Sequence, residues 1–225
     1  MSNKAKLTGS DLVARSLRLE GVENLFVLAG DHVLPVLDVM SDEGFRLIDT
    51  RHEQAAAHMA DAWGLITGQP GVAMYTTPGF ANAIPALANA YHSESPMLSI
   101  SGSAELLELG RGAMQEIDQI GMAKPVTKGA WLITDPHHIP DMLKKAFRTA
   151  LEGRRGPVHL TIPIDVQEAA IEESRLQPER PEEYRTASLR PADPEVVSAI
   201  VDMLHSAERP MIVAGNGAHS VSPKT

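Results

Sequence analysis

A chain of 225 residues holds one ordinary domain and part of another, at roughly 100–200 residues per domain. The net charge of -9, with no run of Lys or Arg, argues against a nucleic-acid-binding surface. The absence of cysteine excludes disulfides, thiolate nucleophiles and cysteine-based metal sites. The sequence has neither a signal peptide nor a stretch of roughly 18 apolar residues, so it predicts a soluble cytoplasmic protein without a membrane span.

The predicted elements alternate between helices and strands over most of the chain. In chain order they are a helix from Ser10 to Gly21, a strand over Leu25–Ala29, a helix over Val33–Met40, a strand over Phe45–Asp49, a helix over Glu53–Thr67, a strand over Val72–Tyr75, a helix ending near Tyr91, a strand over Met97–Ile100, a helix over Pro136–Glu152 and a strand over Val158–Ile162. This alternation predicts an α/β fold, with a parallel sheet flanked by helices.

The composition changes after Val166. Residues 1–168 are predicted to form one α/β domain, and the charged, proline-punctuated residues 169–192 a linker. Residues 193–225 are predicted to be the truncated start of a second α/β domain, with a helix over Pro194–Ser206 and a strand over Pro210–Ala214. One helix and one strand cannot close a sheet, so another stretch of protein is expected to complete that domain.

Single motifs leave several interpretations open. Glu53 stands at a strand-to-helix junction, where an acid can point into a crevice or simply complement the helix dipole. The run from Thr76 to Asn82 follows a buried strand and suits close approach to a flat ligand, or an ordinary turn. Gly215–Gly217 resembles a dinucleotide turn only weakly, because the third glycine is absent. The nine histidines form no tight cluster, so no metal site is predicted.

Together, the segments of the chain resemble the N-terminal, pyrimidine-binding domain of thiamine diphosphate-dependent enzymes of the acetolactate synthase-like and benzaldehyde lyase-like group. The resemblance covers about Lys6 to Ala170, and the tail from Pro191 resembles the start of the central domain of that family. The matching motifs, in chain order, are Arg51–Ala56, Pro78–Asn82, Gln115–Gln119, Lys124–Lys128 and the stretch from Gly156 to Val166.

The resemblance implies specific roles for several residues. Glu53 matches the glutamate that activates the cofactor through N1′ of its pyrimidine ring, and it is expected in a dry pocket. Gln115 matches the active-site glutamine, and His32 resembles a histidine that lines the substrate pocket in benzaldehyde lyase-type enzymes. The implied cofactor-binding residues are Gly30, Glu53, Pro78, Gly79 and Asn82. Ala29 and Asp31 depart from the Pro-Gly-Gly of the synthases.

The family anchors the diphosphate through Mg²⁺ with a Gly-Asp-Gly motif, which this sequence lacks. The resemblance therefore implies a carboligase or decarboxylase whose Mg²⁺ site lies on a domain absent from this chain. The chain is expected to be the N-terminal part of a longer enzyme that forms a homo-oligomer, or one half of a split enzyme whose partner chain carries that domain. Alone, the chain is expected to be inactive. The implied substrates are small 2-oxoacids or 2-hydroxy ketones, and the synthases allow FAD as a further cofactor.

Two other interpretations remain. The chain can be a non-catalytic subunit or interaction module that keeps the fold. It can also be an unrelated nucleotide-binding α/β protein that uses Gly215–Gly217.

Overall fold

The computed structural model describes residues 7–172, 179–185 and 192–220. These residues fall into two compact units, one ending at Tyr184 and the other starting at Arg185. The strands of the first unit are β1 (Leu7–Thr8), β2 (Asn24–Val27), β3 (Arg46–Asp49), β4 (Gly71–Tyr75), β5 (Met97–Ser103), β6 (Ala130–Leu132), β7 (Pro157–Pro163) and β8 (Ala170–Ile171). Its helices are α1 (Gly9–Leu19), α2 (Leu34–Asp42), α3 (Glu53–Thr67), α4 (Gly79–His92), α5 (Gln119–Ala123), α6 (Ile139–Leu151), α7 (Ile164–Glu168) and α8 (Pro181–Tyr184).

The central sheet of the first unit has six parallel strands in the order β3-β2-β4-β5-β7-β6. The chain leaves β2 for β3 on one side and then returns to β4 on the other, so the strand order reverses between β2 and β4. Ligands of open α/β sheets bind outside the carboxyl ends of the strands at such a point. The parallel sheet flanked by helices confirms the predicted fold class.

Helix boundaries follow local chemistry. Thr8 caps α1 by accepting from the N–H of Asp11, whose carboxylate accepts in turn from the N–H of Thr8 at 2.7 Å. This reciprocal pair starts the helix at Gly9, one residue before the predicted start. Helix α3 has the predicted bounds and ends at Gly68, whose φ of 72° suits a glycine at a helix end.

The two faces of the sheet carry separate cores, because side chains alternate along each strand. One face buries mainly aliphatic side chains beneath α1, α2 and α6, among them Leu25, Met74, Ile100 and Leu160. The other face packs against α3 and α4 with smaller and aromatic residues, including Ala57, Tyr75, Phe80 and Ala86. Along β5 and β7 this second face is polar, and Ser99, Ser101, His159 and Thr161 are all buried there.

The second unit contains one α-helix among its described residues, α9 (Pro194–Ser206), as predicted. Asp193 caps this helix by accepting from the N–H of Glu195 at 2.9 Å. The predicted strand over Pro210–Ala214 is absent, since these residues form neither helix nor strand. A strand needs a neighbour that completes its hydrogen bonds, and the described part of this unit offers only α9 and a 3₁₀ turn over Asn216–Ser220.

Within the described ranges, no helix is both long and apolar enough to cross a membrane. The two units do not test the predicted boundaries at 168 and 192, which stay a prediction.

Candidate active site

Glu53 is the first residue of α3 and lies at the carboxyl edge of the sheet. The loop before it is fixed, because the Thr50 hydroxyl contacts the carbonyl oxygens of Val27 and His52, each at 3.1 Å. His52 caps the helix through Nδ1, which accepts from the N–H of Gln54 at 3.2 Å. Glu53 is therefore held where β2, β3 and α3 meet, beside the reversal of strand order.

The start of α4 positions the carboxylate of Glu53. Asn82 donates from Nδ2 to Oε2 of Glu53 at 2.8 Å. A Cβ added at Gly79 would lie 2.3 Å from Oε1 of Glu53, so only glycine lets the carboxylate sit against this turn. Burial and the charge of Glu53 both raise the pKa of Tyr75 above its usual value, opposed in part by the hydrogen bond between its hydroxyl and that of Ser99. The Glu53 side chain is half-buried, so the expected dry pocket is closed on one side only.

The turn after β4 joins Gly30 and His32 to this corner. A Cβ at Gly30 would lie 2.4 Å from Cγ2 of Thr76, so the loop after β2 can approach β4 only because residue 30 is glycine. Nδ1 of His32 lies 2.8 Å from the Thr76 hydroxyl. His32 is 5% exposed, so its ring is buried in this chain and does not face the open side of the site.

Gln115 reaches the same corner through its backbone. The Thr77 hydroxyl donates to the Gln115 carbonyl oxygen at 2.7 Å, and Gln115 adopts a left-handed φ of 61°. Its side chain is exposed, as are those of Pro78 and Asn82. The structure thus brings all seven predicted site residues together around residues 76–79, and of these His32 and Gly79 are buried.

The loop that carries Gln115 is organised by Glu116. Its carboxylate accepts from the N–H groups of Gly110, Gly112 and Ala113 at 2.5, 3.2 and 3.2 Å. These N–H groups, that of Gly110 most strongly, lower the pKa of Glu116 below its usual value. A carboxylate that is stably ionised in this way fixes the shape of the loop before Gln115.

A cleft of about 550 Å³ borders this loop on its inner side. Its walls come from the loop and from the ends of β5, β6 and β7, and they include Ala113, Ile117, Ser103, Leu132 and Thr161. The underside of the Gln115 loop is therefore accessible to a small molecule.

Sequence reasoning did not find the contacts made by Thr77 and Glu116. Two adjacent threonines after a strand and an acid that follows Gly110 and Gly112 are visible in the sequence. Their partners are not, because Thr77 and Gln115 are 38 positions apart. Gly215 and Gly217, by contrast, have nothing within 4 Å of an added Cβ, so this turn does not form a close cradle in its unit.

The residues of this corner fit the pyrimidine end of thiamine diphosphate. Asn82 holds the carboxylate of Glu53 beside Gly79, which has no side chain. The carboxylate can therefore accept a hydrogen bond from a protonated ring nitrogen. The fit does not extend to the metal, because no group of three or more His, Cys, Asp or Glu within residues 7–172, 179–185 and 192–220 could hold a metal ion.

The sequence pattern of the family described as thiamine pyrophosphate enzyme, N-terminal TPP binding domain, matches residues 7–122, about half of the chain. A probable acetolactate synthase large subunit of Methanocaldococcus jannaschii is 34% identical over 215 residues, which are 94% of this chain and 36% of that protein. The acetolactate synthase isozyme 3 large subunit of Escherichia coli is 35% identical over 220 residues, which are 94% of this chain and 37% of that protein. The oxalyl-CoA decarboxylase of Escherichia coli is 34% identical over 227 residues, which are 97% of this chain and 39% of that protein.

The chain thus spans between 36% and 39% of the length of these relatives. The match to the family pattern covers β2 to β5 and ends in α5, so it includes every residue of the Glu53 corner. These findings confirm the predicted resemblance. The chain belongs to the family of thiamine pyrophosphate enzymes and carries their N-terminal TPP-binding domain.

Proposed function

We propose that this chain is the pyrimidine-binding portion of a thiamine diphosphate-dependent carboligase or decarboxylase that acts on 2-oxoacids or 2-hydroxy ketones. The observation that carries the proposal is the carboxylate of Glu53, held by Asn82 and set against Gly79 at the carboxyl edge of the sheet. The relatives support this class, since they are named as acetolactate synthase large subunits and an oxalyl-CoA decarboxylase.

Each residue of the corner has a defined task in this proposal. When bound, thiamine diphosphate supplies a thiazolium ring that acts as an electron sink. Glu53 would share a proton with N1′ of the pyrimidine, and Asn82 keeps Oε2 occupied, which leaves Oε1 available for that proton. Gly79 leaves the room for that orientation, and the exposed side chain of Gln115 is a donor to substrate oxygens.

His32 lies beneath these residues and acts through them. Its buried ring contacts Thr76 and supports the turn that carries Pro78 and Gly79. The role of a histidine that lines the substrate pocket requires the ring to turn outward when the site is complete.

The remaining parts of the site are proposed to lie outside this chain. Glu53 is half-buried, so a second surface must cover it before its pocket excludes water. We assign that surface, with the Mg²⁺ and diphosphate site, to a Gly-Asp-Gly-bearing domain in a homo-oligomer or on a partner chain. Residues 1–168, 169–192 and 193–225 are then the pyrimidine domain, the linker and the start of the central domain. FAD and a cytoplasmic location stay predictions.

The experiment is hydrogen–deuterium exchange at C2 of thiamine diphosphate, followed by NMR in the complete enzyme. Glu53→Gln is expected to slow this exchange at least about 100-fold, because the amide cannot share a proton with N1′ as a carboxylic acid does. Glu23→Gln, which alters an exposed carboxylate before β2, is the matched control and is expected to leave the exchange unchanged. Exchange and turnover that survive Glu53→Gln would instead favour a non-catalytic subunit that kept the fold.

A further inference from the structure

A chain of buried polar side chains crosses the sheet beneath α4. Ser99 and Ser101 of β5 and His159 of β7 are 0% exposed, and Thr161 of β7 is 3% exposed. The strand register places Ser99 opposite His159 and Ser101 opposite Thr161. Polar groups at this depth are costly unless each has a partner, so the contacts between them define how this part of the core is ordered.

The first half of the chain of contacts runs from β4 to β7. The Tyr75 hydroxyl lies 2.5 Å from the Ser99 hydroxyl, which lies 3.0 Å from Nδ1 of His159. The ring of Phe80, from α4, covers the imidazole at a centroid distance of 4.1 Å. His159 is thus sealed from water and bonded on its Nδ1 side.

The second half runs from His159 to α5. Nε2 of His159 lies 3.0 Å from the Thr161 hydroxyl and 3.4 Å from the Ser101 hydroxyl. Ser101 donates to Oε1 of Gln119, and Nε2 of Gln119 donates to the carbonyl oxygen of Gly102 at 3.0 Å. Gln119 is the first residue of α5 and is 4% exposed.

The amide of Gln119 sets the direction of the hydrogen bonds. Because Oε1 can only accept, the one proton of Ser101 is used there, and Ser101 can only accept from His159. The tautomer with the proton on Nε2 fits these contacts together, because Nε2 then donates to the Ser101 and Thr161 hydroxyls, Nδ1 accepts from Ser99, and Ser99 accepts from Tyr75. Burial lowers the pKa of His159 to about 3, opposed in part by the backbone of Ser99, so the ring is neutral near pH 7.

The two ends of this series of hydrogen bonds lie in the two segments that form the site. Tyr75 is followed by Thr76 and Thr77, and Gln119 closes the loop that carries Gln115. The Thr77 hydroxyl joins these segments directly, through the Gln115 carbonyl oxygen. His159 joins them from inside the core.

We propose that His159 is a positioning residue. Its Nε2–H tautomer holds the Gln115 loop in place beside the turn that carries Pro78 and Gly79. The importance of this loop position for catalysis rests on the proposed function. The order of the loop is independent of that function, and it can be measured without cofactor.

The tautomer is tested first, by ¹⁵N NMR of the imidazole in the intact 225-residue chain. The expected result is a protonated Nε2 and an unprotonated Nδ1, with no change between about pH 8 and pH 5. A protonated Nδ1, or a ring that titrates in this range, would overturn the proposal.

The loop is tested by amide hydrogen exchange in two variants that each keep one polar position of the imidazole. The side chain of His159→Asn reaches only the Nδ1 position, whereas that of His159→Gln reaches the Nε2 position. His159→Asn is expected to speed exchange of the Gln119 and Met122 amides about tenfold, the value of one buried hydrogen bond, and His159→Gln to restore most of the protection. The Val22 and Phe45 amides, on the opposite face of the sheet, report any general loss of stability.

Val158→Ala is the matched control, because this buried neighbour faces the aliphatic core on the opposite side of the sheet. It is expected to affect all four amides alike. Equal acceleration at all four amides in His159→Asn would show that His159 only fills the core, and the proposal would fail. If His159→Asn does not fold, Ser101→Ala replaces it, because this variant removes the bond to Gln119 without altering the imidazole. It is expected to speed exchange of the same two amides.

The outcome separates this inference from the proposed function. If the unaltered protein and its variants all bind the cofactor weakly while the loop amides exchange as expected, only the proposed function is contradicted. Normal cofactor chemistry with an unaltered loop in His159→Asn contradicts only the role of His159.

Discussion

In the first unit, the side chain of Leu143 in α6 is 0% exposed, whereas in the second unit the same residue type at position 204 of α9 is 37% exposed. Both helices carry apolar residues at helical spacing, and both begin as their sequences predict or close to it. Helix α6 packs against the sheet of its own unit, whereas the described residues of the second unit include no strand. The difference teaches that spacing and a cap suffice to form a helix, while a core requires a second apolar surface.

The largest expected effect is on stability. Leu143→Ala should lower the free energy of unfolding of the first unit by about 2–5 kcal/mol, the range for emptying a packed leucine site. Leu204→Ala should change it by less than about 0.5 kcal/mol, as for an exposed site. Urea unfolding followed by the fluorescence of Trp63 and Trp131, the chain's two tryptophans, measures both. Equal losses would mean that α9 is packed as firmly as α6.

The second effect compares one glycine from each unit. Gly79→Ala should weaken thiamine diphosphate binding in the complete enzyme roughly 100-fold, because the added Cβ displaces the carboxylate of Glu53. Gly215→Ala adds a Cβ that meets nothing within 4 Å, so affinity should not change. Isothermal titration with the cofactor measures both variants. A loss confined to Gly215→Ala would support nucleotide binding by the second unit instead.

The third effect is a loss of stability at acid pH that comes from buried His159 and not from an exposed histidine. The pKa of His159 is about 3 in the folded chain and 6.5 when the residue is free, so between these values the unfolded chain binds the extra proton. The free energy of unfolding should therefore fall as pH drops from 6.5 towards 3, by at most about 1.4 kcal/mol per pH unit. His159→Gln should flatten this slope, and His205→Gln, in exposed α9, should leave it as it is. Urea unfolding at four pH values tests the difference, and parallel slopes in all three proteins would contradict it.

The smallest effect tests whether α8 belongs to the first unit. Burial, reinforced by the charge of Glu182 in α8 and opposed by Lys144, raises the pKa of Glu20 to about 8. The folded chain then holds a proton that the unfolded chain has lost, so stability should decline as pH rises from 4.5 through 8. Glu20→Gln should raise the melting temperature slightly at pH 9 and not at pH 4, with Glu43→Gln as an exposed control. An unchanged melting temperature at pH 9 would mean that Glu20 is not covered by α8.

Much of this fold could be predicted from the sequence because its elements are long enough to show a period. Helix α3 has the bounds Glu53–Thr67 that the sequence predicts, since an acid in the first turn and Gly68 after the last are local signals. The missed strands β1, β6 and β8 have only two or three residues, too few for any alternation to be visible.

The candidate site could be predicted only as a set of residues. The motifs identified Glu53, Gly79 and Asn82, but not that Asn82 donates to the carboxylate or that Gly79 touches it. His159 lies in a segment correctly predicted as a strand, yet its contact with Ser99 depends on the register between β5 and β7. Register is a property of the assembled sheet, so no local pattern around either residue contains it.

Antiparallel pairing of β1 with β8 sets Leu7 opposite Ile171 and Thr8 opposite Ala170. The first and last strands of the α/β domain are therefore direct neighbours, and the connections on either side of it start from almost the same place. Such a domain can be excised, circularly permuted or grafted into a loop of another protein without stretching either junction. The pairing therefore suits this domain to insertion or permutation with its Glu53 corner intact.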